Sequence, residues 1–300
     1  MLSLEGLTHV YPNGTRALEE VSLAIPTGMF GLLGPNGAGK STLMRCIATL
    51  QSPSRGSIRF GDIDVLREPE RLRALLGYLP QDFGVYPRVS AQGLLEHLAV
   101  LKGISGRGER RETVEALLHQ VNLWEVRRKA VAGFSGGMRQ RFGIAQALIG
   151  APRLIIVDEP TAGLDPEERQ RFNNLLAEIG EHVVVILSTH IVDDVTDLCP
   201  NMAIMVGGRI VRAGAPQQLV DTLQGRIWRS LVDKSRIAEV REAQEVISTR
   251  LRAGRHEVRV VSGSAPAGFE PAEATLEDLY FATLSAQRHA TPGAVPAAAA

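Results

Sequence analysis

One glycine-rich segment constrains this chain more than any other: Gly34, Pro35, Asn36, Gly37, Ala38, Gly39, Lys40, Ser41 and Thr42. An apolar run, residues 29–33, precedes it, and the apolar helical pattern of residues 43–48 follows it. In that strand–loop–helix context the pattern G-x-x-x-x-G-K-[ST] predicts a phosphate-binding loop, whose N–H groups and helix N-terminus attract anions. We expect Lys40 to reach the terminal phosphates of a nucleotide and Ser41 to help hold Mg²⁺. The alternative is a glycine-rich turn before an ordinary helix, which rarely needs Lys-Ser at this spacing.

Composition sets limits on the remaining possibilities. The chain has 300 residues, which is enough for one large or two ordinary domains. Its formal net charge is zero, so it offers no electrostatic field that favours nucleic acid. The most apolar runs, residues 154–157 and 183–187, are strand-sized and far below the roughly 20 residues of a membrane span. Residues 1–5 lack the basic start of a signal peptide. These features predict a soluble, cytoplasmic protein with buried thiols at Cys46 and Cys199.

Two predicted strands end in side chains suited to phosphate chemistry. Residues 154–157 read as a strand buried on both faces, and Asp158 and Glu159 end it, with side chains pointing in opposite directions if the backbone stays extended. Asp158 can support Mg²⁺, and Glu159 can face the water that attacks a γ-phosphate. His190 follows the apolar run of residues 183–189. It is either structural or a hydrogen-bonding partner of the γ-phosphate or the attacking water.

Three further positions have two readings each. Ser135 is placed to cap a helix whose first turn, Gly136 and Gly137, lets a ligand approach closely, although such a cap is more often structural. Tyr11 is either a core residue or a stacking platform for a nucleobase. Gln81, at the end of a predicted strand, can bind a metal ion or water, although most such glutamines are only solvated.

The coarse element pattern separates several regions. Residues 1–28 predict short strands and turns, residues 82–132 predict an inserted helical lobe, and residues 203–212 predict a strand, a turn and a strand. The last part predicts a strand, a hairpin around Gly254 and a capped helix, at residues 226–232, 243–252 with 256–261, and 274–286.

Together the motifs resemble, over roughly the first three quarters of the chain, the ATP-binding subunit of an ABC transporter. The correspondences follow the family's order: Tyr11 as the adenine-stacking aromatic, residues 34–42 as Walker A, Gln81 as the Q-loop, Ser135-Gly136-Gly137 as the signature, residues 154–159 as Walker B with the catalytic Glu159, residues 163–165 as the D-loop and His190 as the switch histidine. Phe134 and Met138 depart from the usual Leu and Gln of the signature.

The resemblance implies an α/β fold: a P-loop NTPase core with a mixed sheet, an N-terminal antiparallel β subdomain, an inserted helical subdomain and a small α+β C-terminal appendage. We expect an ATPase cassette over residues 1–224, with its helical subdomain at about 82–150, an accessory domain over 225–290 and a disordered tail over 291–300. The helix around residues 275–280 is similar to the tail of the drug and antibiotic exporter branch.

The implied function is ATP hydrolysis at a head-to-tail dimer interface, driving transport, with export expected, through a separate membrane permease at the inner face of the cell membrane. ATP would bind residues 34–42 and Tyr11 of one subunit and Ser135, Gly136 and Gly137 of a second copy or a homologous cassette. Lys40, Gln81, Glu159 and His190 would be catalytic, and Ser41, Gln81 and Asp158 would hold Mg²⁺. No nucleic-acid partner is expected. The alternative is a soluble ABC ATPase of translation or DNA repair; against it stand the single phosphate loop, the short insertion and the balanced charge.

Overall fold

The structure, a computed structural model, describes residues 1–81, 83–84, 87–161 and 164–290. The strands are β1 (Leu2–Val10), β2 (Arg16–Ile25), β3 (Gly28–Leu33), β4 (Arg55–Phe60), β5 (Ile63–Asp64), β6 (Leu76–Leu79), β7 (Leu154–Asp158), β8 (Val184–Thr189), β9 (Asn201–Val206), β10 (Arg209–Gly214), β11 (Ile227–Val232), β12 (Glu245–Arg252), β13 (Arg255–Val261) and β14 (Glu270–Pro271). The helices are α1 (Lys40–Ile47), α2 (Pro69–Leu75), α3 (Ala91–Leu101), α4 (Arg107–Gln120), α5 (Gly136–Leu148), α6 (Pro166–Gly180), α7 (Val192–Leu198), α8 (Pro216–Asp221), α9 (Ile237–Ala243) and α10 (Leu276–Ala290). Short 3₁₀ turns lie at Trp124–Val126, Val131–Gly133 and Lys234–Arg236.

The N-terminal sheet has the order β2-β1-β4-β5, and its strand pairs are antiparallel. The expectation of short strands in residues 1–28 is wrong, because β1 and β2 have nine and ten residues. Irregular pairing steps along β1 let both strands continue, and Gly6 and Glu20 take left-handed backbone angles there (φ 56° and 50°). Such bulges bend a strand without ending it, so a break in apolar alternation does not mark a strand end.

A six-stranded sheet of order β10-β9-β3-β8-β7-β6 forms the centre of the first unit. The pairs β3–β8, β3–β9, β7–β8 and β6–β7 are parallel. Every residue of β7 and β8 is buried, which confirms the prediction of strands covered on both faces. Because β3, β8 and β7 are neighbours and parallel, the loops at their carboxyl ends meet at one edge of the sheet.

The helical lobe contains α3, α4 and α5, as the apolar spacing predicts. Ser90 caps α3 by accepting a hydrogen bond from the Gly93 N–H at 3.2 Å, and Leu117 and Leu118 lie on the buried side of α4. Strand β6 packs closely on α5: a Cβ built on Gly77 would lie 2.2 Å from the Ala147 carbonyl oxygen. Helices α2 and α7 were not predicted, since seven residues each are too few to display a helical period. Within the described ranges, no helix is both long enough and apolar enough to cross a bilayer.

The chain divides into two compact units, Met1–Ile210 and a second that begins at Val211, so the division falls within β10. The boundary expected after residue 224 lies further along the chain and stays a prediction. The sheet of the second unit has the order β12-β13-β11-β14. The predicted hairpin is confirmed: Arg252 pairs with Arg255, and the two loop residues Ala253 and Gly254 have positive φ angles, as a type I′ turn requires.

The predicted cap of the last helix is also confirmed. Thr275 Oγ1 accepts from the Asp278 N–H at 3.2 Å, and Asp278 Oδ2 accepts from the Thr275 N–H at 2.9 Å. This reciprocal pair is a capping box that precedes α10. The expected disordered tail, residues 291–300, lies outside the described residues.

Candidate active site at the carboxyl ends of the central strands

The glycine-rich loop connects β3 to α1, as its sequence context predicts. Gly37 and Gly39 have φ angles of 79° and 103°. A Cβ on Gly39 would lie 2.4 Å from the Ala17 carbonyl oxygen, and one on Gly34 would lie 2.4 Å from the Met205 carbonyl oxygen. The loop therefore needs glycine for both its backbone angles and its close approach to neighbouring backbone.

Lys40 is the first residue of α1, and its side chain turns back under the loop. It is only 5% exposed, and its Nζ donates to the carbonyl oxygens of Gly34 at 2.7 Å and Pro35 at 3.3 Å. Burial lowers the pKa of the Lys40 ammonium, and the Glu159 carboxylate, with Oε1 3.5 Å from Nζ, opposes that shift. The ammonium is thus fixed beneath the loop beside a carboxylate.

The acidic pair at the end of β7 differs from the expectation in its backbone. Asp158 ends the strand, but Glu159 has a φ of 48°, so the assumption of an extended chain across both residues is wrong. The Glu159 N–H donates to the Ser188 carbonyl oxygen at 2.8 Å, which holds this left-handed residue against β8. A non-glycine residue in this region costs about 1–3 kcal/mol, and such conformations cluster at functional sites.

His190 directly follows β8, and the structure brings it to the same carboxylate. Its Nδ1 lies 3.3 Å from Glu159 Oε1, while its side chain is 44% exposed. Since Glu159 Oε1 also faces Lys40, one carboxylate contacts two other predicted catalytic side chains, although the three come from different parts of the sequence. Parallel neighbours in the sheet explain this meeting.

A cavity of about 530 Å³ covers the glycine-rich loop, with Tyr11, Gln81, Glu159 and every residue from Pro35 to Thr42 in its lining. The Tyr11 hydroxyl and Thr42 Oγ1 are hydrogen-bonded at 3.0 Å. The sequence analysis missed five lining residues: Thr15, Arg16 and Ala17 lie around the start of β2, and Gly207 and Gly208 form the turn after β9. The two glycines were interpreted only as a turn.

His9 is a further neighbour that sequence reasoning missed. Its ring meets the Tyr11 ring edge-on, with centroids 4.7 Å apart, and its Nδ1 lies 3.0 Å from the Ser52 carbonyl oxygen. Because a carbonyl oxygen only accepts, His9 Nδ1 carries a proton and donates. His9 thus fixes one edge of the Tyr11 ring. Tyr11 is the residue after β1, so alternation along that strand does not indicate this contact.

The segment Ser135-Gly136-Gly137 begins α5, and Ser135 Oγ accepts from the Met138 N–H at 3.2 Å, which confirms the predicted cap. None of these three residues is in the described lining of the loop cavity. Glu168 packs against this helix start: a Cβ on Gly137 would lie 2.4 Å from Glu168 Oε2. No sequence pattern indicated that contact.

The loops on either side of these motifs are described only in part. Asp165 caps α6, since its Oδ1 accepts from the Glu168 N–H at 2.8 Å. Gly163 of the expected D-loop lies outside the described residues, as do three positions of the loop after Gln81, at 82, 85 and 86.

Comparisons with known proteins agree with this geometry. The family described as ABC transporter matches residues 18–162. The phosphonates import ATP-binding protein PhnC of Chromohalobacter salexigens is 37% identical, over 76% of this chain and 89% of its own length. The daunorubicin/doxorubicin resistance ATP-binding protein DrrA of Streptomyces peucetius is 32% identical, over 85% of this chain and 77% of its own.

A solved structure is also similar: a dimeric post-hydrolysis state of an ATP-binding cassette bound to ADP and Pi. It is 27% identical, with a TM-score of 0.66, and the alignment covers 72% of this chain and 98% of that one. The α/β cassette fold expected from the sequence is therefore confirmed, and the resistance and import proteins among the relatives leave the direction of transport open. On these matches and this geometry, the chain belongs to the ABC transporter family as an ATP-binding subunit, and it is an ATPase.

Proposed function

We propose that this subunit hydrolyses ATP at a head-to-tail dimer interface and so drives export through a separate membrane permease. One observation carries the proposal: Glu159 Oε1 lies 3.3 Å from His190 Nδ1 and 3.5 Å from Lys40 Nζ, at the edge of the loop cavity. A carboxylate between a histidine and a buried ammonium is a suitable acceptor for a proton from water next to bound phosphates.

Each residue has a separate task in this scheme. Glu159 orients water and accepts its proton, His190 donates to the γ-phosphate, and Lys40 neutralises charge on the terminal phosphates. Tyr11 stacks on the adenine ring. Gln81 links the phosphates to the helical lobe, since it follows β6 and lines the same cavity.

The residues proposed for Mg²⁺ suit this ion. Ser41, Gln81 and Asp158 offer a hydroxyl, an amide carbonyl and a carboxylate, which are the hard oxygen ligands that Mg²⁺ prefers. Asp158 Oδ1 is buried and has no hydrogen-bond partner among the residues that the structure describes. A buried carboxylate oxygen without a donor is the expected property of a group that supports a metal ion. Bound Mg²⁺ supplies charge neutralisation at the phosphate oxygens.

The signature segment is proposed to serve a second subunit. Ser135, Gly136 and Gly137 form a helix N-terminus suited to phosphate, but they do not belong to the described lining of the chain's own loop cavity. A second cassette, identical or homologous, would place its nucleotide against this helix start. ATP then stabilises the closed dimer, and hydrolysis releases it.

A separate cavity of about 650 Å³ supports docking of a permease. It lies between β6, α2 and the helical lobe, and its rim carries Leu50 and Leu101, which are 63% and 70% exposed. Arg73, Lys102 and Glu70 also line it, and Glu70 pairs with Arg73 at 2.7 Å. Large exposed apolar side chains at the rim of a cavity suit the apolar face of a short amphipathic helix.

Export, rather than import, is supported by how far the resistance protein matches. DrrA aligns with 85% of this chain at 32% identity, and PhnC aligns with 76% at 37% identity, so the resistance protein matches more of the chain but at lower identity. We therefore propose a drug-like, antibiotic or lipid-like substrate and a position at the inner face of the cell membrane.

The variant Glu159→Gln tests the catalytic part. We expect phosphate release to fall about 10²- to 10⁴-fold, the usual contribution of a positioned base, while equilibrium binding of Mg²⁺ and ATP persists. Glu181→Gln is the matched control, because the Glu181 side chain is 71% exposed and lies beyond α6. Undiminished turnover in Glu159→Gln would remove Glu159 from its role.

A capture experiment tests the transport part. Tagged Glu159→Gln chain with ATP and Mg²⁺ should recover a polytopic protein from native membranes, and adding Leu101→Asp should abolish that recovery. Leu251→Asp is the matched control, since Leu251 is equally exposed, at 68%, but lies on β12. Recovery with ribosomes or DNA and without a membrane protein contradicts the proposal and indicates a soluble, non-transport ATPase.

A further inference from the structure

A buried carboxylate on α7 contacts three chain segments around the active site. Asp194 is 0% exposed. Its Oδ2 accepts hydrogen bonds from Thr161 Oγ1 at 2.7 Å and Thr189 Oγ1 at 3.3 Å, and its Oδ1 accepts from Arg169 Nε at 2.8 Å. None of these four residues lines the described part of the loop cavity. Any effect of Asp194 on catalysis must therefore be transmitted through other residues.

The two threonines flank the proposed catalytic pair in sequence. Thr161 follows Glu159 with only Pro160 between them. Thr189 directly precedes His190, and its Oγ1 accepts from the Ile191 N–H at 3.0 Å. This second hydrogen bond closes a tight backbone turn that has His190 at its middle.

Both threonine hydroxyls meet at one oxygen, Asp194 Oδ2, so the two loops share a single anchor. The side chains that these loops carry, Glu159 and His190, are 3.3 Å apart. Glu159 also has a strained, left-handed backbone, which persists only where surrounding contacts hold it. Thr161 and Thr189 lie within two residues of Glu159 and His190 in sequence, so their hydrogen bonds to Asp194 are well placed to supply that support.

A carboxylate suits this anchor better than a neutral group. It only accepts hydrogen bonds, so both hydroxyls and the guanidinium can donate to it at once. The ion pair with Arg169, whose side chain is 27% exposed, offsets the cost of the buried charge. An ion pair alone would need neither threonine, and the two hydroxyls are what connect it to the loops.

We propose that Asp194, through Thr161 and Thr189, is a positioning residue that fixes the distance between Glu159 and His190. This inference rests on the proposed catalytic roles of that pair. The expected property is a change in the chemical step without a change in nucleotide binding.

The near-isosteric variants Thr161→Val and Thr189→Val test the inference. Each removes a hydroxyl from Asp194; Thr189→Val also removes the acceptor of the Ile191 N–H. We expect kcat to fall roughly tenfold to a hundredfold, the cost of a misplaced catalytic group, with KM and equilibrium ATP affinity within about twofold. Thr161→Ser and Thr189→Ser keep the hydroxyl and should restore kcat.

Thr196→Val is the matched control on the same helix. Thr196 Oγ1 donates to the Val192 carbonyl oxygen at 3.1 Å on the exposed side of α7, so this variant removes a hydroxyl that does not reach Asp194. Its kcat should not change. Turnover is counted per titrated nucleotide site, so a partly unfolded sample does not imitate the effect. A further variant, Asp194→Glu, keeps the charge but displaces the oxygens, and it should also lower kcat at unchanged KM.

The double variant Thr161→Val/Thr189→Val distinguishes a shared anchor from two separate effects. Because both hydroxyls act through one oxygen, the kcat of the double variant should be close to that of the single variant with the lower kcat. Multiplying losses contradict a shared anchor, and wild-type kcat in both valine variants overturns the inference. If Glu159→Gln is inactive while the valine variants are fully active, only the inference fails; if Glu159→Gln keeps wild-type turnover, the catalytic assignment itself fails.

Discussion

The buried ion pair that fastens α10 to the C-terminal sheet offers a quantitative test of the second unit. Arg259 donates from Nε to Asp278 Oδ1 and from Nη2 to Asp278 Oδ2, both at 2.7 Å. Asp278 is 2% exposed, and the Arg259 side chain is 16% exposed. The Asp278 carboxylate also raises the pKa of the Arg259 guanidinium and accepts from Thr275 Oγ1 at 2.7 Å. Asp278→Ala therefore removes a charge partner and the Asp278 half of the capping box together.

The expected loss in unfolding free energy follows from these contacts. Removing one partner of a buried ion pair costs about 3–5 kcal/mol, because the other charge stays buried without compensation. Arg259 Nη2 keeps one acceptor, the Glu273 carbonyl oxygen at 2.8 Å, which favours the lower end. The lost half of the capping box adds up to about 1 kcal/mol. We expect a total near 4 kcal/mol.

Urea denaturation followed by tryptophan fluorescence measures this loss. The chain has two tryptophans, and a Trp124→Phe background leaves Trp228, on β11, as the reporter of the second unit. Trp228 Nε1 donates to the Ser262 carbonyl oxygen at 3.1 Å, so unfolding changes its environment. Glu277→Ala is the control, since Glu277 pairs with Arg250 at an exposed position, and such pairs contribute about 0–1 kcal/mol. A loss below 1 kcal/mol for Asp278→Ala, or equal losses for both variants, would refute the reasoning.

Two further predictions concern the first unit. In equilibrium titrations, Tyr11→Ala should weaken ATP binding about fivefold to tenfold through lost stacking. Tyr11→Phe loses only the hydrogen bond to Thr42 and should bind ATP nearly as tightly as wild type. Inorganic tripolyphosphate, which has no base, should bind all three proteins equally. Burial raises the pKa of Cys46 to about 11 and that of Cys199 to about 12, so neither thiol should react with Ellman's reagent at pH 8 until the chain unfolds. Above the ordinary thiol pKa of 9.0, the unfolded chain releases these protons and the folded chain keeps them. The unfolding free energy should therefore fall as pH rises from 9.0 toward 11. In pH-dependent denaturation, Cys46→Ala should make this fall less steep.

The sequence predicts best those features that short segments determine. The strand, loop and helix around Lys40, the cap at Ser135 and the hairpin turn at Gly254 each depend on at most about twenty consecutive residues, and the structure contains all three. The order of the motifs along the chain also indicated the cassette fold. By contrast, the left-handed backbone of Glu159 depends on its hydrogen bond to β8, which no local pattern reveals.

Contacts between distant residues account for most of what the sequence did not reveal. His9 meets Ser52 across 43 positions, and the Ser135 helix start meets Glu168 through packing of α5 against α6. Neither His9 nor Glu168 belongs to a recognisable motif. Their roles depend on which elements the fold brings together, and a single sequence carries that information only through the whole fold.

Asp194 and Asp278 show how sequence separation decides what can be foreseen. Each is a buried carboxylate that accepts hydrogen bonds from a threonine hydroxyl and an arginine. Thr275 precedes Asp278 by three residues, so a capping box was visible in the sequence, whereas Thr161 precedes Asp194 by 33. The same chemistry thus caps a helix in one unit and, in the other, joins the loops of the proposed catalytic pair. Their tests should therefore differ in kind: losing Asp278 should change the unfolding free energy, and losing the Thr161 hydroxyl should change kcat.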